Sequence, residues 1–543
     1  MKRGKIFAGG ATLLAAAALL SACSSSSSSN TKKAQKLRWT EAAELTTMDP
    51  SKAIDRYDAD QFNNVMEGLI RLGNNAKAEP GIAKSWKESK DGLTWTFNLR
   101  HNAKWANGDP VTAQDFVYSW RRTNDPKTAS EYAYIMSGIK NADAIQAGKK
   151  PVNSLGIKAD GKYKLTVNLE RKIPYFKLLM GFFVFFPQNQ KFVQNSGKKY
   201  GTSSKYVLSN GPFKMTGWTG SNLSWKLVKN NKYWDKKHVK LDTIDMSVQK
   251  TQSTSYNLYQ SGKLDETNLD TQQSKQLKGK TGWTVRRFAS TRYLQYNIKK
   301  DKNLANPNLR KAISLAIDKK QLATTIGAAN QPAVSYTAAG ITDQSTGKQF
   351  SDEVENSETK ATQGYDKAEA KKYFNKALKQ LGKKKINVTL LGDDTDDAKK
   401  ATEFIQSALE STLKGMKVDV ENVPFKTRLS RASSGNFDIV STGWTADFSD
   451  PISFLDMFTK DNNYNYGRWN NSEYNKLIAE SKTTNSTSKR WSDMVKADQI
   501  LMKDQGITPL FYMNEATLVK PSVKGVVFNG AGNPYNFKTA YIK

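Results

Sequence analysis

The sequence predicts an α/β protein that carries an additional antiparallel sheet in its N-terminal half. Segments before residue 230 alternate strictly between apolar and polar side chains, which is typical of half-buried antiparallel strands. Beyond residue 300, short apolar runs alternate with amphipathic helical patterns, which is typical of parallel strand–helix–strand units. The length of 543 residues allows two to four domains, each long enough to bury a core.

Three N-terminal segments carry the alternation. They are LTWTFNLR at 93–100, YKLTVNLE at 163–170, and the run around 223–227. Each therefore predicts a strand with one apolar face. The residues of these apolar faces are Leu93, Trp95, Phe97 and Leu99, then Tyr163, Leu165, Val167 and Leu169, then Leu223, Trp225 and Leu227.

The C-terminal half begins with a predicted helix over 306–327, capped by Asn306, with Pro307 in its first turn and Gly327 at its end. A strand at 386–392, a helix at 399–414 and strands at 416–423 and 437–444 follow. Asp447 comes directly after the last of these strands. Ligands of open α/β sheets bind outside the carboxyl ends of the strands, so this aspartate is a candidate site residue, although a surface or capping role is the alternative.

The N-terminus predicts export. A basic start precedes an apolar run from Ala11 to Leu20, which is too short to span a bilayer, so residues 1–22 are predicted to be a signal peptide. The following LSAC sequence resembles the lipobox of bacterial lipoproteins, in which the cysteine becomes the lipidated mature N-terminus. Cys23 is the only cysteine in the chain. It is therefore the predicted lipidation site, and residues 23–36, with their serine run, are a flexible tether.

The net charge of +32 falls to +29 once residues 1–22 are removed, because they hold three basic side chains and no acid. An exported protein meets anionic lipids and wall polymers, and its lysines are spread along the chain. No nucleic-acid partner is therefore expected. The predicted location is the extracytoplasmic face of a bacterial membrane, with a Gram-positive surface favoured over a periplasm.

The sequence lacks a catalytic constellation. There are two histidines and no HExxH motif, so no His- or Cys-rich metal site and no cofactor are expected. STSK at 486–489 and KTG at 280–282 occur in penicillin-recognising enzymes, but here their order is reversed and SDN is missing. A secreted serine hydrolase is a remote alternative. The 12 Trp, 22 Tyr and 23 Phe instead favour a binding protein with a ring-lined cavity.

GIAKSWKESKDGLTWTFNLRHNAKWANGDPVTAQDFVYSWRR at 81–122 strongly resembles the signature region of the extracellular solute-binding proteins of peptide ABC transporters. Further blocks follow in the order of that family, among them NGPFK at 210–214, NPNLRKAISLAIDKKQ at 306–321 and GWTADFSDP at 443–451. Within the family, TASEY and GWTADFSDP make the chain most similar to oligopeptide-binding lipoproteins.

The resemblance implies a periplasmic-binding-protein-like fold, with two α/β lobes joined by a hinge and an extra antiparallel α+β domain. Lobe I would be discontinuous and comprise residues 37–66, 195–289 and 515–543. Residues 67–194 would form the extra domain and residues 290–514 lobe III.

The resemblance also assigns site residues. Asp447 would take the α-ammonium of a peptide, and the main chains of Gly443 and Thr445 would pair with the peptide backbone. Ser441 stands where some members have an arginine that holds the carboxyl end of short ligands, so Lys399 is a candidate replacement. The other predicted peptide contacts are Trp444, Tyr293, Phe425, Tyr132, Ile54, Asp55, Arg56 and Asn463.

The predicted function is a monomeric, lipid-anchored receptor that performs no chemistry, binds oligopeptides by hinge closure and delivers them to the membrane permease of an ABC importer. The same fold could carry a dipeptide, a signalling peptide, a metal chelate or an oligosaccharide. A sugar brings no ammonium for Asp447. An adhesive surface protein that uses its positive charge is a further alternative.

Overall fold

The computed structural model describes residues 34–343 and 345–543. The predicted signal peptide, Cys23 and most of the tether lie outside these residues. The strands are β1 Lys36–Glu41, β2 Ile70–Leu72, β3 Ala78–Pro80, β4 Ala83–Glu88, β5 Thr94–Leu99, β6 Ile157–Ala159, β7 Lys164–Asn168, β8 Phe213–Thr216, β9 Ser224–Lys229, β10 Thr243–Val248, β11 Glu266–Asn268, β12 Trp283–Tyr296, β13 Gln331–Pro332, β14 Ile386–Asp393, β15 Met416–Val423, β16 Ile439–Thr445, β17 Ile507–Val519, β18 Val523–Lys524, β19 Val527–Phe528, β20 Tyr535–Asn536 and β21 Tyr541–Ile542.

The α-helices alternate with these strands. They are α1 Arg56–Val65, α2 Ala113–Asn124, α3 Ala142–Gln146, α4 Phe176–Leu179, α5 Gln190–Ser196, α6 Gln252–Gln260, α7 Thr271–Leu277, α8 Pro307–Ala316, α9 Lys319–Ile326, α10 Phe350–Val354, α11 Ser357–Gln363, α12 Lys367–Leu381, α13 Asp396–Thr412, α14 Phe425–Ser433, α15 Ile452–Leu455, α16 Ser472–Thr483 and α17 Thr487–Lys503. In the described part of the chain, no helix is long and apolar enough to cross a membrane.

Two four-stranded sheets occupy the N-terminal half. One has the order β1-β10-β9-β8, and the other, β4-β5-β7-β6, is antiparallel throughout. The predicted alternation is confirmed in the second sheet, because Phe97, Leu99, Leu165 and Val167 are fully buried. It is wrong at one position: Leu223 lies just before β9 begins and is 48% exposed.

A seven-stranded sheet forms the C-terminal half, with the order β11-β17-β12-β16-β14-β15 and β13 beside β17. Strand β14 is parallel to both β15 and β16, and α13 makes the crossover from β14 to β15. The predicted parallel unit is therefore confirmed, with the strand bounds shifted by at most two residues. Helix α13 begins three residues before the predicted start, because the side chain of Thr395 accepts a hydrogen bond from the backbone N–H of Ala398 and caps it.

The predicted helix over 306–327 is wrong in one respect, because the structure divides it into α8 and α9. Asn306 caps α8 and Pro307 occupies its first turn, as expected. The chain leaves the helical conformation at Ile317, and Asp318 caps α9 by accepting from the backbone N–H of Gln321. A capping aspartate inside the apolar pattern thus starts a new helix, which ends at Gly327.

Strands β12 and β17 are long and pair with each other along most of their lengths. The predicted lobe boundaries at 289/290 and 514/515 fall inside these two strands. Their pairing is interrupted by register shifts between Arg287 and Thr291 and between Arg292 and Tyr293. Two long strands that cross from one predicted lobe to the other are a suitable place for a hinge, and the domain limits themselves stay predictions.

Candidate functional site

The cleft between the N-terminal sheets and the C-terminal sheet holds two adjoining cavities. The first, the anchor chamber, has a volume of about 890 Å³. Its wall contains most of the predicted contacts: Ile54, Asp55, Arg56, Tyr132, Tyr293, Phe425, Gly443, Trp444, Thr445 and Asp447. The second, the distal chamber, has a volume of about 1260 Å³ and is lined in part by Glu41, Lys250, Ser441 and Glu515. Residues such as Tyr57, Arg292 and Met513 belong to both walls, so the two chambers adjoin, and we refer to them together as the channel.

Asp447 lies in the turn after β16, and only 4% of its surface is exposed. Its backbone N–H donates to Ser453 Oγ at 2.7 Å, and its Oδ1 accepts from the Tyr132 hydroxyl at 2.9 Å. The second carboxylate oxygen, Oδ2, is buried and has no hydrogen-bond partner. An unsatisfied buried carboxylate oxygen is costly, so this atom is prepared to accept a donor from a ligand.

The electrostatics of Asp447 follow from its burial. Loss of water raises the pKa of Asp447 to about 8, and the hydrogen bond from the Tyr132 hydroxyl and the neighbouring Ser453 hydroxyl act in the opposite direction. No side chain of the described residues forms an ion pair with this carboxylate. The site therefore holds a carboxyl group that a cationic ligand would ionise.

Aromatic rings enclose Asp447. The rings of Tyr132, Trp444 and Tyr464 contact one another at centroid distances of 6.1, 5.5 and 4.9 Å. The Trp444 indole N–H donates to the carbonyl of Ser453 at 2.9 Å, which fixes its orientation. This apolar wall keeps water away from the carboxylate, and its rings would pack against the first side chains of a ligand.

Strand β16 offers a free backbone edge to the channel. It pairs with β12 from Ile439 to Thr445, but with β14 only at Ile439 and Val440. At the two ends of the β12 pairing, Asn297 N–H donates to the carbonyl of Asp438, and Ala446 N–H donates to that of Ala289. Because hydrogen bonding alternates along an antiparallel pair, Val440, Thr442 and Trp444 bond to β12. The backbone groups of Ser441, Gly443 and Thr445 therefore point away from β12, into the channel.

The segment Ile54 to Arg56 lies across the chamber at the start of α1. Asp55 caps this helix by accepting from the backbone N–H groups of Tyr57 and Asp58. Its carboxylate is thus already engaged. Arg56 donates to Glu515 at 2.9 Å, and its Nη1 is buried without a partner.

Two predicted residues are not brought to the chambers. Lys399 is exposed on α13, and neither chamber wall includes it. The prediction that it holds a ligand carboxylate therefore lacks the required geometry. Asn463 is exposed, and its side-chain amide donates to the carbonyl of Glu131 at 3.4 Å.

The structure adds wall residues that the sequence analysis missed. Among them are Arg292, Arg428, Tyr464 and Tyr466. Arg428 forms a buried ion pair with Asp393 at 2.9 Å. An arginine in the otherwise mostly apolar run from Phe288 to Tyr296 was the available signal for Arg292.

The residues of the hydrolase alternative have other roles. Ser486 caps α17, and its hydroxyl accepts from the backbone N–H of Lys489. The ammonium group of Lys489 forms ion pairs with Glu480 and Asp493. Neither residue lies in the wall of either chamber.

Fold and cleft together define a two-lobed α/β protein whose candidate site lies beside the long paired strands β12 and β17. The sequence profile of the bacterial extracellular solute-binding proteins, family 5 middle, matches residues 77–466. The chain belongs to this family.

Relatives of known structure or assignment agree over nearly the full length. A dipeptide-binding protein of Lactococcus lactis is 36% identical over 94% of this chain and 95% of its own length. The oligopeptide-binding protein OppA of Bacillus subtilis is 33% identical over 92% of this chain and 91% of its own length. Listeria monocytogenes OppA bound to peptide superposes with a TM-score of 0.90 at 39% identity, covering 94% of this chain and 99% of that one.

Two structures of one Escherichia coli relative, the murein tripeptide-binding protein MppA, differ in their similarity to this chain. Both are 29% identical to it and cover 94% of it. The TM-score is 0.85 for one and 0.62 for the unliganded open form. The arrangement of the lobes in this chain therefore differs from that open form.

Proposed function

We propose that this protein is an extracellular receptor that captures peptides and delivers them to the membrane permease of an ABC importer. Relatives that share most of its length are dipeptide- and oligopeptide-binding proteins, and one of them has been seen with a peptide bound. The observation that carries the proposal is Asp447, which lines the anchor chamber and whose buried Oδ2 has no hydrogen-bond partner among the described residues.

Asp447 is assigned to the α-ammonium of the peptide. An ammonium that enters an enclosed chamber loses its water and must meet a fixed acceptor. Oδ2 supplies that acceptor, while Tyr132 holds Oδ1 in place. A hydrogen bond between charged groups contributes about 1.5–3 kcal/mol, which is enough to fix the register of the ligand.

The main chain of β16 is assigned to the peptide backbone. Gly443 and Thr445 present their N–H and C=O groups to the channel, and an extended peptide can pair with them as an added strand. Such pairing does not depend on side-chain identity. The receptor would therefore accept many sequences.

Closure about β12 and β17 is assigned as the mechanism. The anchor chamber is built from both predicted lobes and from Tyr132 of the predicted extra domain, so a bound peptide would bridge all three. Ligand that contacts every part only in the closed form shifts the population towards that form. The lower similarity to the open form of MppA supports this closed arrangement. The permease would recognise the closed receptor.

The finer features of the prediction are part of the same proposal. The receptor is a monomer, performs no chemistry and is held on the surface of a Gram-positive cell by a lipid on Cys23. The family is extracellular, which agrees with export. Metabolic labelling with an alkyne fatty acid, compared between the protein and its Cys23→Ala variant, tests the anchor.

Calorimetric titration tests the binding proposal. The purified protein, unfolded and refolded to remove carried ligand, is titrated with pentaalanine and with its Nα-acetyl form. We expect the free peptide to bind one to one and the acetylated peptide at least a hundredfold more weakly, because acetylation removes the ammonium and strands Asp447. Equal affinities would contradict the role of Asp447. If neither form of pentaalanine binds, and mixed-sequence peptides of three to eight residues do not bind either, the proposal that the protein is a peptide receptor would be contradicted.

A further inference from the structure

Arg292 occupies an unusual position in the channel. It lies in β12 directly opposite Gly443 of β16, in the part of the register where the two residues are not hydrogen-bonded to each other. Because Gly443 has no side chain, the Arg292 side chain lies across its backbone: a Cβ at Gly443 would be 2.7 Å from Cδ and 3.0 Å from Nη1 of the arginine. The guanidinium thereby reaches the point where the anchor and distal chambers meet.

The other cations of the two chamber walls are already neutralised. Arg56 pairs with Glu515 at 2.9 Å, and Arg428 pairs with Asp393 at 2.9 Å. Lys250 contacts carboxylates on both sides of the cleft, Glu44 and Asp394.

Arg292 differs from them. Its guanidinium donates a hydrogen bond to the sulfur of Met513 at 3.9 Å. Within residues 34–343 and 345–543, no carboxylate forms an ion pair with it. The charge of Arg292 acts on the carboxyl group of Asp397. Burial raises the pKa of Asp397 to about 6, and the positive charges of Lys400 and Arg292 act in the opposite direction. A guanidinium that lines an enclosed channel without a counter-charge is a site for an anion.

The register places this site relative to the ammonium anchor. Gly443 precedes Asp447 by four residues, and an extended strand advances by about 3.3 Å per residue. Because Asp447 itself lies in the turn after β16, Gly443 is at most about 13 Å from the ammonium site. An extended peptide anchored at Asp447 would bring its third to fifth residue to this point.

We propose that Arg292 is a carboxylate-recognition site of the channel, placed over Gly443 to receive a carboxylate from the third to fifth residue of the peptide. This inference rests on the proposed peptide-binding function and extends it to ligand selectivity. The carboxylate has two sources. It is the C-terminus of a tri-, tetra- or pentapeptide, or the side chain of Asp or Glu in a longer peptide whose remainder continues into the distal chamber.

The site also accounts for the lack of a carboxylate anchor elsewhere. Ser441 cannot form an ion pair, and Lys399 is exposed on α13 outside both walls. A bidentate guanidinium–carboxylate pair is stronger and more directional than a lysine contact. Selectivity for a carboxylate would then come from a residue on the neighbouring strand β12.

The experiment compares ligands that differ only in the carboxylate. In the first series, tri-, tetra- and pentaalanine are titrated as free acids and as C-terminal amides. In the second series, the ligands are alanine octapeptides in which position three, four or five is replaced in turn by Glu or by Gln. The proteins are the wild type, Arg292→Gln, Arg292→Lys and the matched control Lys399→Gln. The control removes the positive charge of Lys399, a side chain that lies outside both chambers.

We expect the wild type and Lys399→Gln to prefer the carboxylate form at least tenfold in one of the two series. Arg292→Gln should still bind the amide or Gln ligand one to one, which shows that it is folded, and should lose the preference for the carboxylate form. Arg292→Lys should restore part of it. A preference in the free-acid series identifies the C-terminus, and one in the octapeptide series identifies an acidic side chain.

A wild type that binds amide and acid forms equally in both series would overturn the inference while leaving the peptide receptor intact. The same holds if Arg292→Gln retains the full preference. If none of the peptides binds, the inference fails together with the proposed function.

Discussion

Two buried aspartates in the anchor chamber have opposite surroundings. Asp393 is the last residue of β14 and forms an ion pair with Arg428, which is itself 4% exposed. Asp447 follows the end of β16, has no cation beside it, and has one oxygen without a partner. The carboxylate at Asp393 is satisfied within the chain and contributes to the structure. The carboxylate at Asp447 has no such partner among the described residues, and the proposed peptide ammonium would supply one.

The largest expected effect concerns the satisfied pair. Arg428→Met leaves Asp393 buried without its cation, which is expected to lower the free energy of unfolding by about 3–5 kcal/mol. Arg431→Met is the matched control on the same helix, because its pair with Glu421 is partly exposed, and it should change stability by less than about 1 kcal/mol. Urea unfolding followed by tryptophan fluorescence measures both. Similar stabilities of the two variants would show that the Asp393 pair is not structural.

The next effect separates binding from stability at Asp447. Asp447→Asn should weaken pentaalanine binding about tenfold to hundredfold, because it removes a charged hydrogen bond. The same substitution should increase the stability of the ligand-free protein. Burial raises the pKa of Asp447 to about 8, so its stabilising contribution is present at low pH and is lost as the pH rises through 8.

The variant should therefore melt a few degrees above the wild type at pH 8.5 and close to it at pH 4, as scanning calorimetry would measure. Asp461→Asn, an exposed control, should change neither affinity nor melting. An Asp447→Asn protein that is less stable at pH 8.5 would mean that the carboxylate supports the fold.

A smaller effect is expected from pH. The empty Asp447 carboxyl must lose a proton before it pairs with an ammonium, so affinity should rise nearly tenfold per pH unit between pH 6 and 7.5. Above about pH 8 the α-amino group of the peptide loses its own proton, and the affinity should level off and then fall. Titrations across this range give the profile. A flat profile for the wild type, matching that of Asp447→Asn, would contradict the raised pKa.

The smallest effect concerns the free edge of β16. Gly443→Ala places a methyl group within 2.7 Å of the Arg292 side chain, which must then move. We expect peptide affinity to fall about threefold to tenfold with little change in melting temperature. Ser441→Ala, two residues earlier on the same face, should leave the affinity unchanged. Equal behaviour of the two variants would argue against close packing of Arg292 on this strand.

Much of this arrangement is visible in the sequence because it is local. The polar-apolar periods predicted β5, β7, β14, β15 and β16, and the motif GWTADFSDP directed attention to Asp447. The division of one predicted helix into α8 and α9 was missed, because a capping side chain at Asp318 competes with a continuous apolar stripe. Ile317, at which the chain leaves the helical conformation, is fully buried.

The charges of the site were harder to predict because they depend on neighbours that are distant in sequence. Lys399 was expected at the site as a replacement for the arginine that some family members have at the position of Ser441, but the side chain of Lys399 is exposed on α13. Arg292 was missed because its importance lies in the pairing of β12 with β16, which sets it over Gly443. Contacts of this kind determine whether a buried carboxylate has a cationic partner. Asp393 has one in Arg428, and Asp447 has none among the described residues.

The central claim, that Asp447 is kept unpaired for the ammonium of a peptide, is tested most directly by a double-mutant cycle. The wild type and Asp447→Asn are each titrated with pentaalanine and with its Nα-acetyl form at pH 7.5. We predict that acetylation costs the wild type at least a hundredfold in affinity and costs the variant less than tenfold, so that the two changes are strongly coupled. Equal losses in both proteins would contradict the claim, because the ammonium would then be recognised elsewhere.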